Sequence, residues 1–186
     1  MKIFISGGCK NGKSTYAQEL AVKQKTEGLP LYYVATMEPV DGEDEARIQR
    51  HRKEREGLSF ETVEQPKNIM DLLIKSNCKG SFLIDSTTAL LANEMFQGGI
   101  INDGIVEKIG KELEEVISQL DHVVIVSDYI FSNIEDFSKE TKQYQRNLAY
   151  LDKICAKNCD VVLEICFGNQ IIHKGGNEYE ALMERI

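Results

Sequence analysis

Gly7-Gly8-Cys9-Lys10-Asn11-Gly12-Lys13-Ser14 is the stretch that decides the fold. It fits G-x-x-x-x-G-K-[ST], the phosphate-binding loop. Its flanks fit as well. Lys2-Ile3-Phe4-Ile5-Ser6 before it is short, apolar and rich in strand formers, as a buried parallel strand should be. Thr15 to Gln24 after it carries Tyr16, Leu20 and Lys23 at helical spacing with no breaker. The plain alternative is a glycine-rich turn that happens to precede Lys-Ser. Four fixed positions recur by chance in roughly one chain of this length in a few hundred, and the strand and helix on either side make chance rarer still.

The residue types suit a phosphate. Gly7 and Gly12 admit backbone conformations that a side chain would block, so successive N–H groups can face one anion. A helix opening at Gly12 adds the positive end of its dipole. Lys13 is a mobile cation that reaches β- and γ-phosphates, and Ser14 offers a hydroxyl to Mg²⁺. Gly8, Cys9, Lys10 and Asn11 complete the loop backbone; Cys9 stands at a variable position and is assigned no chemistry.

Beyond the loop, strands alternate with helices. Gly28-Leu29-Pro30 stops the first helix. Leu31 to Thr36, Phe60 to Glu64, Ser81 to Asp85, His122 to Asp128 and Asp160 to Phe167 read as strands. Helices are expected over 43–56, from Pro66 through Ile74, over 87–96 with Gly98-Gly99 as its stop, over 106–120 and over 138–158 with Ser138 as N-cap. Tyr129 to Phe137 reads as a long loop suited to substrate contacts. Gly168-Asn169 reads as the turn of a closing hairpin into Gln170 to His173, and Tyr179 to Ile186 as a short last helix. Continuous apolar strands between helices predict an α/β fold of the P-loop NTPase type: three layers, a mostly parallel central sheet and a C-terminal hairpin. In such sheets ligands sit at the carboxyl ends of the strands, where Ser14, Thr36, Asp85 and Asp128 fall.

Composition sets bounds. The 186 residues predict one domain, 1–186, with 42% apolar and 28% charged residues as in an ordinary globule. The net charge of −8 excludes nucleic-acid binding by bulk electrostatics but not a bound nucleotide, since the loop brings its own positive field. Five cysteines, with no C-x-x-C, read as reduced thiols and so as a cytoplasmic protein. Cys155 and Cys159 stand one helical turn apart, and small core residues are the better reading than a metal pair. Met1 to Ile5 run straight into the loop, so no signal peptide is expected. No apolar run approaches membrane-spanning length.

Two further features carry chemistry. Asp85 ends an apolar strand, as does the acid that supports Mg²⁺ in phosphate-loop proteins. Its plainer role is an N-cap for the next helix, and the two can coexist. Arg47, Arg50, His51, Arg52, Lys53 and Arg55 form a basic cluster in an acidic chain. On composition alone a solvated face paired with Glu43, Asp44, Glu54 and Glu56 accounts for them; a helix this polar would lie exposed over a site or against another subunit.

The loop, then Tyr33-Val34-Ala35-Thr36, then Ala46-Arg47-Ile48-Gln49-Arg50-His51-Arg52 with Arg55, then the acid-ended strand and Thr87-Thr88, together resemble one family. It is the bifunctional adenosylcobinamide kinase / adenosylcobinamide-phosphate guanylyltransferase family of cobalamin biosynthesis. The likeness runs through about the first hundred residues, with the basic segment its most specific part. The resemblance implies two reactions. A nucleoside triphosphate, ATP or GTP, phosphorylates the hydroxyl of adenosylcobinamide, a corrinoid. His51 then takes GMP from GTP as a phosphoramidate and passes it on to give adenosylcobinamide-GDP. It implies nucleotide contacts from Ala35, Thr36, Met37, Arg52, Lys53, Glu54, Arg55 and Glu64, metal binding by Ser14 and Asp85, and catalytic roles for His51, Lys13 and Asp85. It also implies a homotrimer.

The chain departs from the family at three places. Arg50 stands where some members carry a second histidine; Asp128-Tyr129-Ile130-Phe131 replaces Asn-Glu-Val-Gly; no tryptophan follows the basic helix, where Phe60 stands nearby. Two other readings therefore stay open: a small-molecule kinase without guanylyl transfer, and a nucleotide-binding protein without catalysis. The base of the kinase step is not assigned, and Asp128 is a candidate by position only.

Overall fold

The computed structural model describes residues 1–97, 101–102, 104–131 and 137–184, without the Arg47 side chain. The central element is a seven-stranded sheet. In chain order the strands are β1 (Lys2–Gly7), β2 (Leu31–Ala35), β3 (Phe60–Glu64), β4 (Ser81–Asp85), β5 (His122–Asp128), β6 (Val161–Cys166) and β7 (Asn169–Lys174). They lie in the order β3-β2-β4-β5-β1-β6-β7, all parallel except β7. Helices α1 (Lys13–Lys23), α2 (Gly42–Glu54), α3 (Leu72–Lys75), α4 (Thr87–Met95), α5 (Ile105–Gln119), α6 (Lys139–Asn158) and α7 (Gly176–Met183) connect and cover them.

Alternation along the strands builds two cores. Ile3, Ile5, Leu83, Val124 and Val126 point to one face, where they meet Ala17, Leu20 and Ala21 of α1 and Leu182 of α7. Phe4, Phe82, Ile84, Val123 and Ile125 point to the other, against Leu90 and Leu91 of α4, Ile109 and Leu113 of α5, and Leu148 and Leu151 of α6. Burying each such side chain contributes roughly 1.5–3 kcal/mol. Both faces being covered is why these strands are apolar at every position. Cys155 and Cys159 belong to the second core. Burial pushes the Cys159 thiol up to about 12 and that of Cys155 well above its ordinary range. All five cysteines are free thiols.

Three local expectations are corrected. Pro66 does not open a helix. The chain first passes through Asn68 in a left-handed conformation, and a 3-10 turn, Ile69–Asp71, then leads into α3. The hairpin turn is one residue earlier than expected: Phe167 and Gly168 hold the positive φ values of 49° and 76°, and Asn169 already pairs with Cys166. The last helix begins at Gly176 rather than Tyr179. The expected stop at Gly98-Gly99 and positions 132–136 of the loop after β5 lie outside the described residues. The Ser138 cap is as expected, its hydroxyl accepting from Thr141 N at 3.2 Å. No described helix is long and apolar enough to cross a membrane.

Candidate active site

The carboxyl ends of the strands form one edge. Glu64, Ala35 and Asp85 are register partners across β3, β2 and β4, and Gly7 partners Asp128 across β1 and β5. Neighbouring strands stand about 4.8 Å apart, so these residues make a row across the sheet.

The loop from β1 to α1 is built for an anion. Gly12 has φ 87°, which only glycine adopts without strain, and it turns the chain into α1. Gly12 offers no capping side chain, so apart from Lys13 N, which Asn11 takes, the first N–H groups of α1 are open to a ligand. Gly7 is glycine for another reason than expected: its φ is not positive, but a Cβ there would collide with the Ile165 carbonyl oxygen and sit 2.6 Å from Asn11 Nδ2. Asn11 Nδ2 donates to that same carbonyl at 2.5 Å, and its Oδ1 accepts from Lys13 N at 3.2 Å. Lys13 is 5% exposed; its Nζ donates to Gly8 O at 2.9 Å and to Asp128 Oδ1 at 2.7 Å. Two of its three N–H groups are thus used and one remains for a phosphate.

Beside the loop opens a cavity of about 970 Å³. Asp85 and Asp128 line its sheet side, and Ala46, Gln49, His51, Arg52 and Arg55 line its α2 side. This polar helix is largely exposed and runs along the cavity. Asp41 caps it, accepting from Glu43 N and Asp44 N at 2.9 Å, and acidic residues fill its first turn. Its far end is anchored by Arg55, 7% exposed, whose guanidinium carbon lies 3.4 Å from the centroid of the Tyr33 ring. Arg55 Nη1 is buried without a hydrogen-bond partner, a cationic donor with capacity to spare. Tyr33 donates its hydroxyl to Asp85 Oδ2 at 3.0 Å. Burial, reinforced by the Asp85 charge, pushes the Tyr33 phenol above its ordinary range, so it stays a donor.

The sequence-derived residues divide. Ala35, Met37, His51, Arg52, Arg55, Glu64 and Asp85 all border the cavity. Arg52 Nη2 pairs with Glu64 Oε1 at 3.2 Å. Glu54 Oε2 approaches His51 Nδ1 to 3.3 Å without completing a hydrogen bond. Lys53 and Glu54 are exposed and do not line the cavity. Thr36 is fully buried: its hydroxyl accepts from Ser86 N at 2.6 Å and donates to Ser86 O at 2.8 Å, so it braces the turn after β4. The N-cap of α4 is Ser86, whose Oγ accepts from Ala89 N at 3.3 Å, not Asp85. That leaves Asp85 free of the plainer role proposed for it. Sequence reasoning missed Tyr33, which reads as a core strand residue; only its hydroxyl and its place near the strand end set it apart. It also missed Asn93, whose Nδ2 holds Thr36 O at 2.6 Å and Pro66 O at 3.1 Å beside the cavity.

Residues 3–172 match the family model described as cobinamide kinase / cobinamide phosphate guanyltransferase. The bifunctional adenosylcobalamin biosynthesis protein CobP of Pseudomonas aeruginosa is 26% identical over 167 residues, covering 87% of this chain and 91% of that one. The corresponding CobU protein of Escherichia coli is 25% identical over 157 residues, covering 78% and 84%. Among solved structures, the flagellar accessory protein FlaH from Methanocaldococcus jannaschii aligns at 12% identity with a TM-score of 0.50, covering 92% of this chain and 77% of that one. An ATPase from the type III secretion system of pathogenic bacteria aligns at 11% with a TM-score of 0.52, covering 88% and 50%. These likenesses are to the P-loop NTPase fold.

Proposed function

The chain belongs to the cobinamide kinase / cobinamide phosphate guanyltransferase family, and from that premise we propose that residues 1–186, as one domain, catalyse both steps those words describe. The observation that carries the reading is the position of α2. Its basic end, with His51, Arg52 and Arg55, borders the same cavity as Asp85 and Asp128 at the edge of the phosphate loop.

In the first step the loop amides from Gly7 to Ser14 and the spare N–H of Lys13 hold the triphosphate of ATP or GTP. Mg²⁺, when bound by Ser14 and Asp85, supplies positive charge against the phosphate oxygens. Tyr33 fixes Asp85 for that task by its hydrogen bond. The hydroxyl of adenosylcobinamide attacks the γ-phosphorus, a new O–P bond forms, and the bond to the nucleoside diphosphate breaks.

In the second step His51 attacks the α-phosphorus of GTP. A neutral imidazole nitrogen carries the attacking lone pair. A P–N bond forms and pyrophosphate leaves. A phosphate oxygen of adenosylcobinamide phosphate then attacks the same phosphorus, the P–N bond breaks, and adenosylcobinamide-GDP is released. Arg52 and Arg55 lie where they can bind the phosphates. The working form is a cytoplasmic homotrimer, which suits a helix so little covered by its own chain.

Incubation with GTP labelled at the α-phosphate tests the reading. Acid-labile label on wild type and none on His51→Ala supports it. Unlabelled wild type that still phosphorylates adenosylcobinamide reduces the function to the kinase; nucleotide binding without either reaction removes both.

A further inference from the structure

Five acids of the described residues line the cavity, and four are engaged or remote. Glu38 pairs with Lys67 at 3.1 Å and Glu64 with Arg52. Glu45 is exposed on α2. Asp85 accepts from Tyr33 and ends β4, where the metal role falls. Asp128 alone touches the phosphate loop, through Lys13 Nζ at 2.7 Å.

Its placement is fixed from several sides. Asp128 N donates to Thr88 Oγ1 at 2.9 Å, and the next residue, Tyr129, donates its N–H to Gly7 O at 2.8 Å. Tyr144, which also lines the cavity, donates to the Thr88 carbonyl at 2.8 Å and so holds α6 against this corner. The side chain is 18% exposed and Asp128 borders the cavity, while only its Oδ1 is taken by Lys13. A triphosphate oxygen taking the third N–H of Lys13 would lie one further hydrogen bond away, about 4.5 Å from the Asp128 oxygen across the tetrahedral ammonium. A hydroxyl entering from the cavity would meet Asp128 on its way to the γ-phosphorus.

We propose that Asp128 is the base of the phosphoryl transfer, taking the proton of the acceptor alcohol through the oxygen that Lys13 does not hold. This rests on the kinase half of the function proposed above. The alcohol O–H bond breaks as its proton passes to the Asp128 carboxylate. The alcohol oxygen bonds to the γ-phosphorus, and the electron pair of the β–γ bridge leaves with the nucleoside diphosphate. Lys13 serves both partners: it binds the phosphate and keeps the carboxylate aimed.

Asp128→Asn, which keeps the shape and removes the base, tests this beside wild type. Four readouts are taken: γ-phosphate transfer to adenosylcobinamide, γ-phosphate release to water, affinity for a non-hydrolysable triphosphate, and α-label on His51. The expected result is a loss of transfer kcat of roughly 10²–10³-fold. Triphosphate affinity should hold or rise, since a negative neighbour of the phosphates is gone, and the His51 label should persist. A kcat within about threefold of wild type overturns the proposal. So does a loss matched by an equal loss of triphosphate affinity, which would make Asp128 a mere counterion. If wild type leaves adenosylcobinamide untouched, the substrate reading fails, and release to water then reports on Asp128 alone: a drop in Asp128→Asn supports the base, and no drop overturns it. A wild type that releases γ-phosphate to neither acceptor sinks both.

Discussion

Arg55 lies face-on over the ring of Tyr33, its guanidinium carbon 3.4 Å from the centroid. Because Tyr33 also holds Asp85, this stack joins the end of the basic helix to the acid at the end of β4. A desolvated cation–π contact of this kind is worth about 2 kcal/mol. Arg55→Ala should therefore lower the yield of His51 label by roughly tenfold or more and reduce the melting temperature. Arg55→Lys should recover little, because an ammonium neither stacks nor offers a planar fork. Tyr33→Phe keeps the ring and should keep the stack. A melt of Tyr33→Phe that falls as far as that of Arg55→Ala would show that the phenol, not the stack, holds the helix.

The two glycines at the head of the loop should respond oppositely to alanine. At Gly7 a methyl runs into the Ile165 carbonyl, a backbone atom of β6 that cannot step aside cheaply, and into Asn11. Gly7→Ala should cost more than about 2 kcal/mol and displace the Asn11 bond that orders the loop. At Gly8 a methyl meets open space and φ is not positive, so Gly8→Ala should stay within about 0.5 kcal/mol of wild type. Urea unfolding of the three proteins measures both. Equal losses at the two positions would refute the packing argument.

Asp152 of α6 should make stability depend on pH. Burial, with the negative charge of Asp128 adding and Ser127 opposing, pushes its carboxyl up to about 7. Between the ordinary carboxylate value and 7, the unfolded chain has lost a proton that the folded protein still holds. Stability therefore falls as pH rises from about 4 to about 7, then levels off. Asp152→Asn removes that cost, by roughly 2–4 kcal/mol at pH 8 and by little at pH 4. Thermal melts of both proteins across this range read it directly. A difference that stays constant with pH would mean that the carboxyl does not carry the effect.

How much the sequence disclosed depended on what each feature needs. Gly12 and Lys13 are legible because one chain segment carries the whole phosphate-loop pattern. The parallel sheet is legible because burial on both faces forces apolar runs such as Phe82-Leu83-Ile84. His51 could be placed on a polar helix, but the sequence could not say that this helix would turn toward Asp85. That depends on Arg55 meeting Tyr33, twenty-two residues away in sequence and on another element. Thr36 shows the opposite failure. It ends a strand at the ligand edge, yet its hydroxyl is consumed by Ser86, a contact between β2 and β4 that no linear pattern reveals. The hairpin turn shifted by a residue because Phe167 accepts a positive φ that residue preferences would give to Asn169.

The ion pair between Lys13 and Asp128 should show itself in a double-mutant cycle. Lys13→Ala removes the phosphate cation and should abolish triphosphate binding. It also leaves Asp128 largely buried without its counter-charge, so the fold should weaken as well. Asp128→Asn alone leaves a buried lysine without its counter-charge, with the Gly8 carbonyl and a neutral amide oxygen as acceptors. The double variant lacks both charges and should be more stable than the sum of the single losses predicts, by about 1–3 kcal/mol. It should still bind no triphosphate, because the lysine is gone. Stability recovered without binding would separate the two duties of Lys13: balancing a carboxylate in the empty loop and gripping a phosphate in the filled one. Strict additivity in the cycle would show that the 2.7 Å contact contributes nothing to the fold, and Asp128 would then be held in place by its pairing with β1 and by Thr88.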